Sequence, residues 1–150
     1  MKTAAGLRPE PLPTDATEFN WPVRVYYEDT DSGGVVYHSN YLKYMERART
    51  EWLRARGNSQ NRLQAQEGVI FVVTRMNIEF LKPARIDDLL AVRARIRHSG
   101  GASLAFEQSI SAETGELICR ADVEVACLDA RTFRPKRLPA SMRLETNDGD

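Results

Sequence analysis

Between Tyr26 and Tyr41 the chain reads YYEDTDSGGVVYHSNY, its densest gathering of groups able to do chemistry. Asp29 and Asp31 flank Thr30, a glycine pair follows at Gly33 and Gly34, and His38 stands seven residues after Asp31. Asp and Gly recur in turns for backbone reasons alone, so one reading of DTDSGG is a turn that caps a helix. A calcium loop starting at Asp29 fails on detail: its fifth position is Gly33, and its twelfth, Asn40, has no carboxylate. Zinc is disfavoured because His38 and His98 are the only histidines, and neither sits in a His-Glu-x-x-His arrangement. Neither a G-x-S-x-G elbow nor a phosphate-binding P-loop is present. What remains is a carboxylate, Asp31, beside a glycine turn that delivers the chain into a helix. Free N–H groups at a helix start, with the positive end of its dipole, suit an oxygen that becomes negative. A carboxylate that attacks or activates water, beside preorganised donors for a tetrahedral intermediate, is an acyl-transfer arrangement.

The elements that must position these groups follow from periodicity. WPVRVYYE alternates through Val23, Val25 and Tyr27 and predicts a half-buried strand before the turn. From His38 to Arg56 the period is helical, with Tyr41, Met45, Ala48, Trp52 and Ala55 on one stripe; Ser39 and Asn40 are candidate caps and Gly57 a fitting end. Residues 59–67 allow another turn or two of helix. VIFVVTRMNIEFLK then predicts a strand buried on both faces in its first half only. LLAVRARIRH, SLAFEQSI and LICRADVEVACL follow as alternating strands, joined at Gly100–Gly101 and at ETGE. The expected inward sets are Leu90, Val92, Ala94 and Ile96; Leu104, Phe106 and Ile110; and Leu117, Cys119, Ala121, Val123, Val125 and Cys127. Arg93, Arg95 and Arg97 fall on the opposite, solvated face. The class is α+β: one long helix packed on a curved antiparallel sheet whose edges a second copy would cover.

The 150 residues suit one domain, expected over 20–140, between a proline-bearing mobile tail at 1–19 and a C-terminal tail at 141–150. Apolar residues at 42% and charged residues at 28% are globular values. Twenty-one basic residues balance 21 acidic ones, which argues against nucleic acid as a partner. No apolar run suits a membrane span or a signal peptide, so a soluble cytoplasmic protein is expected. Cys119 and Cys127, about 26 Å apart along one strand, cannot bridge each other.

VRVYYEDTDSGGVVYHSNYLKYMERARTEWLR closely resembles the signature of the hot-dog-fold thioesterases of the 4-hydroxybenzoyl-CoA thioesterase group, and within it the acyl-CoA thioesterases associated with the Tol-Pal envelope system. The resemblance runs on through FVVTRMNIEFLKPARIDDLL to the LP near the C-terminus, about residues 21–139. It implies a sheet wrapped around the helix, pairing of two copies into continuous sheets, and active sites at the dimer interface; a homotetramer is the larger form. By resemblance Asp31 matches the catalytic carboxylate, as nucleophile or general base, and Tyr27 the tyrosine four residues earlier. The backbone N–H at His38 is expected to polarise the thioester carbonyl, while its imidazole orients substrate or water. Tyr27 has a second reading as a core aromatic.

The implied reaction hydrolyses acyl-CoA to free acid and CoA without metal or other cofactor, with acyl carrier protein as the alternative thiol carrier. Coenzyme A carries phosphates that need cations, and Arg134 and Lys136 in the basic segment RTFRPKR are candidates. Ser99, Gly100, Gly101 and Ser103, in a turn of small residues, are candidates for backbone contact with the pantetheine. Two rivals stand beside this reading. A dehydratase on the same fold needs a differently placed catalytic pair than the early Asp31 offers. A non-catalytic acyl-CoA sensor or envelope-complex adaptor is expected to bring a further module, against about 20 residues ahead of the first strand.

Overall fold

The computed structural model describes residues 18–143; residues 1–17 and 144–150, most of the two expected tails, lie outside the described residues. Chain order is β1 (Glu18–Arg24), α1 (His38–Ala55), α2 (Gln60–Glu67), β2 (Val69–Phe80), β3 (Leu89–Gly100), β4 (Ser103–Ala112) and β5 (Leu117–Asp129). The strands form one antiparallel sheet in the order β1-β3-β4-β5-β2. Register shifts at Val73/Arg75, Ile96/His98 and Ile110/Ser111 insert bulges, which bend strands and let the sheet curve around α1.

The inward alternation of β3 is as read, as is that of β5 from Cys119 onward, and it meets a helix whose Tyr41, Met45, Ala48 and Trp52 are buried. Two details of the stripe differ. Tyr44 is buried, whereas Ala55, at the last turn, is exposed. Trp52 packs edge-on against Phe106 of β4 with ring centroids 5.6 Å apart. The β4–β5 bulge turns Ile118 into the core and leaves Leu117 half-buried. Cys119 and Cys127 are buried free thiols, both pushed up to about 11 by burial. The outer face is laced by cross-strand pairs such as Arg93–Glu18, Arg95–Glu107 and Arg97–Asp122, each about half exposed. Such pairs contribute little individually but leave the face solvated and neutral.

The boundaries are wider than expected. Phe19 is buried and β1 begins at Glu18, so the strand takes in the end of the expected tail. Met142, in the expected C-terminal tail, is also buried, behind a 3-10 turn at Ala140–Met142. By contrast, β1 stops at Arg24, four residues before the alternation does. The Tyr26 N–H bonds to Asp29 Oδ2 at 2.9 Å and the Thr30 N–H to the Tyr27 carbonyl at 3.1 Å, so turn chemistry overrides the alternation at 27. Strand β2 also falls short of two-sided burial: Val69 is buried, Phe71 is half-buried and Val73 is 46% exposed. It is an outer strand of the sheet, and one of its edges has no neighbour among the described residues.

Tyr41 ties helix to sheet, its hydroxyl accepting the N–H of the fully buried Ala84 at 3.0 Å. Burial raises the Tyr41 pKa, with smaller contributions that include the Asp31 charge. Two substitutions test this core in urea unfolding. Trp52→Ala should lose about 3–5 kcal/mol, as large-to-small changes of buried aromatics do; an unchanged midpoint would place the stripe in solvent. Tyr41→Phe should lose about 1–3 kcal/mol, because it strands a buried N–H, with little change in the slope of the transition.

Candidate active site

The turn after β1 is built from its own backbone. The Asp31 N–H donates to the Val35 carbonyl at 2.8 Å and the Gly34 N–H to the Asp31 carbonyl at 3.0 Å, while Thr30 and Val36 bridge across the base. Gly34 takes φ +81°, a conformation that side chains disfavour. At Gly33 a Cβ would lie 3.2 Å from Asp31 Oδ1, the same oxygen that accepts the Gly33 N–H at 2.8 Å. The second glycine serves the backbone and the first lets the carboxylate fold back on the turn. Asp31 is exposed.

The turn is fastened to its surroundings on two sides. The Val36 N–H bonds to the Ala84 carbonyl at 2.8 Å, and Val35 bridges Arg85. The Asp29 carbonyl accepts both the Tyr37 N–H at 2.9 Å and the Asn40 Nδ2 at 2.8 Å. Asn40 therefore braces the turn instead of capping the helix. Ser39 lies inside the first turn of α1; the cap position is Tyr37, which makes no side-chain capping bond. The first N–H groups of α1, at His38 and Ser39, have no intrahelical acceptor. His38 is exposed, with its ring 4.5 Å from that of Tyr37 and 6.0 Å, edge-on, from that of Phe80 at the end of β2. At the helix end Gly57 follows as read, its N–H bonded to the Arg54 carbonyl and the Asn58 N–H to the Leu53 carbonyl.

Tyr27 is not the core aromatic its alternation offered: it is 82% exposed on the 3-10 turn Tyr27–Asp29. The buried tyrosine beside this turn is Tyr44, whose pKa is raised first by burial and then by the neighbouring Asp29 carboxylate. Sequence reasoning passed over it because it falls beside the stripe rather than on it.

The expected coenzyme residues form a second cluster. Gly100 pairs with Ser103, Gly101 turns the β3–β4 hairpin with φ +56°, and its carbonyl accepts the Leu138 N–H at 2.9 Å. Ser99 is buried. The C-terminal segment runs alongside, with the Lys136 N–H on the Cys127 carbonyl and Lys136 Nζ 3.0 Å from the Glu67 carbonyl. Arg134 is exposed, and its guanidinium has no ion pair among the described residues. Within one chain this cluster does not reach Asp31. The turn lies at the start of β3, where the Val25 N–H meets the Asp88 carbonyl, and the hairpin at its far end. Twelve strand residues separate them by roughly 36 Å.

Between the clusters a cavity of about 260 Å³ opens between α1 and the sheet, walled by Trp52, Leu53, Phe71, Leu104 and Phe106. That is at the small end for ligand pockets. Arg49 also lines it, its Nη1 2.9 Å from Gln108 Oε1, while Gln108 Nε2 donates to the Met45 carbonyl at 3.1 Å. Burial lowers the Arg49 pKa. The available signal was Gln108, the one polar residue on the inward alternation Leu104, Phe106, Gln108, Ile110.

Comparison with known proteins agrees with this geometry. Residues 33–119 match the family model described as Thioesterase superfamily. The acyl-CoA thioester hydrolase YbgC of Escherichia coli is 48% identical over 131 residues, covering 87% of this chain and 97% of its own. A probable thioesterase from Bartonella henselae, of known structure, superposes with a TM-score of 0.76 at 41% identity, covering 80% of this chain and 98% of its own. A 4-hydroxybenzoyl-CoA thioesterase shares the fold at 22% identity and a TM-score of 0.76, covering 83% of this chain and 95% of its own. With its sheet curved around one long helix and Asp31 on a glycine turn at that helix's start, the chain belongs to the thioesterase superfamily and has the hot-dog fold.

Proposed function

We propose that this thioesterase hydrolyses acyl-CoA to free acid and CoA, with Asp31 as the carboxylate that attacks the thioester or activates water. The observation that carries the assignment is the tie between the Asp31 turn and the helix start: through Asp29, one exposed carboxylate and a set of N–H groups without intrahelical acceptors are held in fixed relation. The N–H groups at His38 and Ser39 receive the carbonyl oxygen as it becomes negative. The His38 ring, propped between Tyr37 and Phe80, orients the thioester or water. Tyr27, exposed at the mouth of the turn, lies where it can meet substrate rather than stabilise the core.

The working unit is at least a homodimer, with a homotetramer as the larger form. Antiparallel pairing of the open β2 edge with that of a second copy sets the start of one β2 beside the end of the other. Since Val69 pairs with Asp129 and Phe80 with Cys119, the hairpin and C-terminal segment of one copy then approach the Asp31 turn of the other. Ser99, Gly100, Gly101 and Ser103 would line the pantetheine path, and Arg134 would meet the phosphates. Lys136, already engaged by Glu67 and 3.9 Å from Asp129, would have to exchange partners to do so. Acyl carrier protein shares the pantetheine arm and is the alternative carrier.

Two measurements test the reading. Asp31→Asn should keep fold and oligomer, because an asparagine Oδ1 can still accept the Gly33 N–H, while thiol release from acyl-CoA falls by roughly two to four orders of magnitude. Near-wild-type turnover in the folded variant would remove Asp31 from the chemistry. Sedimentation at micromolar concentration should show at least a dimer; an active 17.0 kDa monomer would contradict the shared site.

A further inference from the structure

Beyond β5 the chain makes a tight turn that presents one aromatic ring to solvent. Asp129 Oδ1 accepts the N–H groups of Arg131 and Thr132 at 2.8 and 2.9 Å, and the Asp129 carbonyl accepts that of Phe133 at 2.8 Å. The Asp129 N–H in turn bonds to the Arg134 carbonyl at 2.8 Å, the Arg134 N–H to Thr132 Oγ1 at 3.2 Å, and the Ala130 N–H to the Gly68 carbonyl at 2.8 Å. The turn is therefore rigid. Its outcome is unusual for a bulky residue: Phe133 sits at φ +63° and is 62% exposed. A left-handed phenylalanine is disfavoured, and burial does not compensate for it here.

Close to the ring in sequence are Arg131 and Arg134, both exposed and without an ion pair among the described residues. Asp129, the nearest carboxylate in sequence, is occupied in capping the turn and lies 3.9 Å from Lys136. An exposed aromatic ring with two exposed arginines close to it in sequence matches a purine base joined to phosphates. Bases stack on aromatic rings, and planar guanidinium groups pair with phosphate oxygens. One ring is too little apolar area for a stable protein interface.

We infer that Phe133 is the stacking platform for the adenine of coenzyme A, so that the nucleotide end of the substrate, and not only its pantetheine arm, is recognised. The inference rests on the acyl-CoA reading above, in which Arg134 meets the phosphates, and it adds the base and Arg131. The arrangement follows the order of the substrate. The β3–β4 hairpin, proposed for the pantetheine, is bonded through Gly101 to Leu138, and the segment leads back through Arg134 to Phe133. A carrier lacking adenosine gains nothing from the platform, so Phe133 favours coenzyme A over acyl carrier protein.

The test uses one acyl group on coenzyme A and on phosphopantetheine alone, and reads the ratio of kcat/KM between the two. In the wild type the ratio should favour coenzyme A by about tenfold or more. Phe133→Ala should lower it about five- to tenfold, through KM rather than kcat, which is the lower end of what base stacking on a protein aromatic is worth. Phe133→Trp should restore it. A ratio unchanged by Phe133→Ala, or an equal loss on both thioesters, would overturn the inference. Binding of adenosine 3′,5′-bisphosphate, followed by calorimetry, separates this result from failure of the hydrolase reading. A wild type that cleaves no thioester sinks the hydrolase, whereas weaker nucleotide binding by Phe133→Ala still supports the platform. Unaltered nucleotide binding together with lost sedimentation on anionic phosphatidylglycerol vesicles would assign the ring to a membrane surface and overturn it.

Discussion

The main-chain carbonyl of Asp29 is the joint on which the site depends. By accepting the Tyr37 N–H and the Asn40 side chain, it fixes the last residue before α1 and the first helical turn against the same turn that carries Asp31. Without it, the carboxylate and the helix start would be linked only through the turn's own bonds and the Val36–Ala84 contact. With it, they move as one body, and the Val36–Ala84 and Tyr41–Ala84 bonds seat that body on the segment entering β3. The proposed reactive geometry is held by backbone contacts and a buried tyrosine, while Asp31 and His38 are left exposed. Preorganisation of this kind matters because catalysis favours donors already in place when charge develops.

The same constraint explains why one chain looks unfinished. The sheet places the Asp31 turn and the β3–β4 hairpin at opposite ends, and the intervening strand is held extended by its pairing with β4, apart from the bulge at Ile96/His98. Meanwhile β2 carries half-buried Phe71 and exposed Val73 and Phe80 toward an open edge. Unpaired edges and apolar side chains together favour covering by another strand. A two-fold arrangement on that edge meets both needs with one contact.

Much of this was legible before any coordinates, and the exceptions share a cause. Alternation located β3, β4 and β5, and the helical period located α1, because in those elements burial is one-sided and the sequence records it directly. The Asp31 turn was legible as a tight turn leading into α1 because glycines and short carboxylates gather where the backbone must turn. Tyr27 misled because its alternation continued past the point where Asp29 captures the Tyr26 N–H, and a local hydrogen bond outweighs a pattern of two residues. Ser39 and Asn40 looked like caps, but Asn40 was drawn to the Asp29 carbonyl, a partner distant in sequence. The Arg49–Gln108 contact joins residues 59 apart and could not be seen from spacing at all, although a glutamine on an inward face was its trace.

The missing cap on α1 carries the argument further. A serine or aspartate at Tyr37 would accept an N–H from the first turn and stabilise the helix. It would also occupy a donor that the proposed function assigns to a developing oxyanion. Tyr37 has no oxygen that reaches those groups, and its ring props His38 instead. The helix is held by Tyr41, Met45, Ala48 and Trp52 against the sheet, and that burial far exceeds what one cap contributes. Stability is thereby assigned to the buried stripe and the donors are left to the substrate. This separation lets the walls around Phe71, Trp52 and Phe106 differ in shape without disturbing the turn proposed to break the thioester.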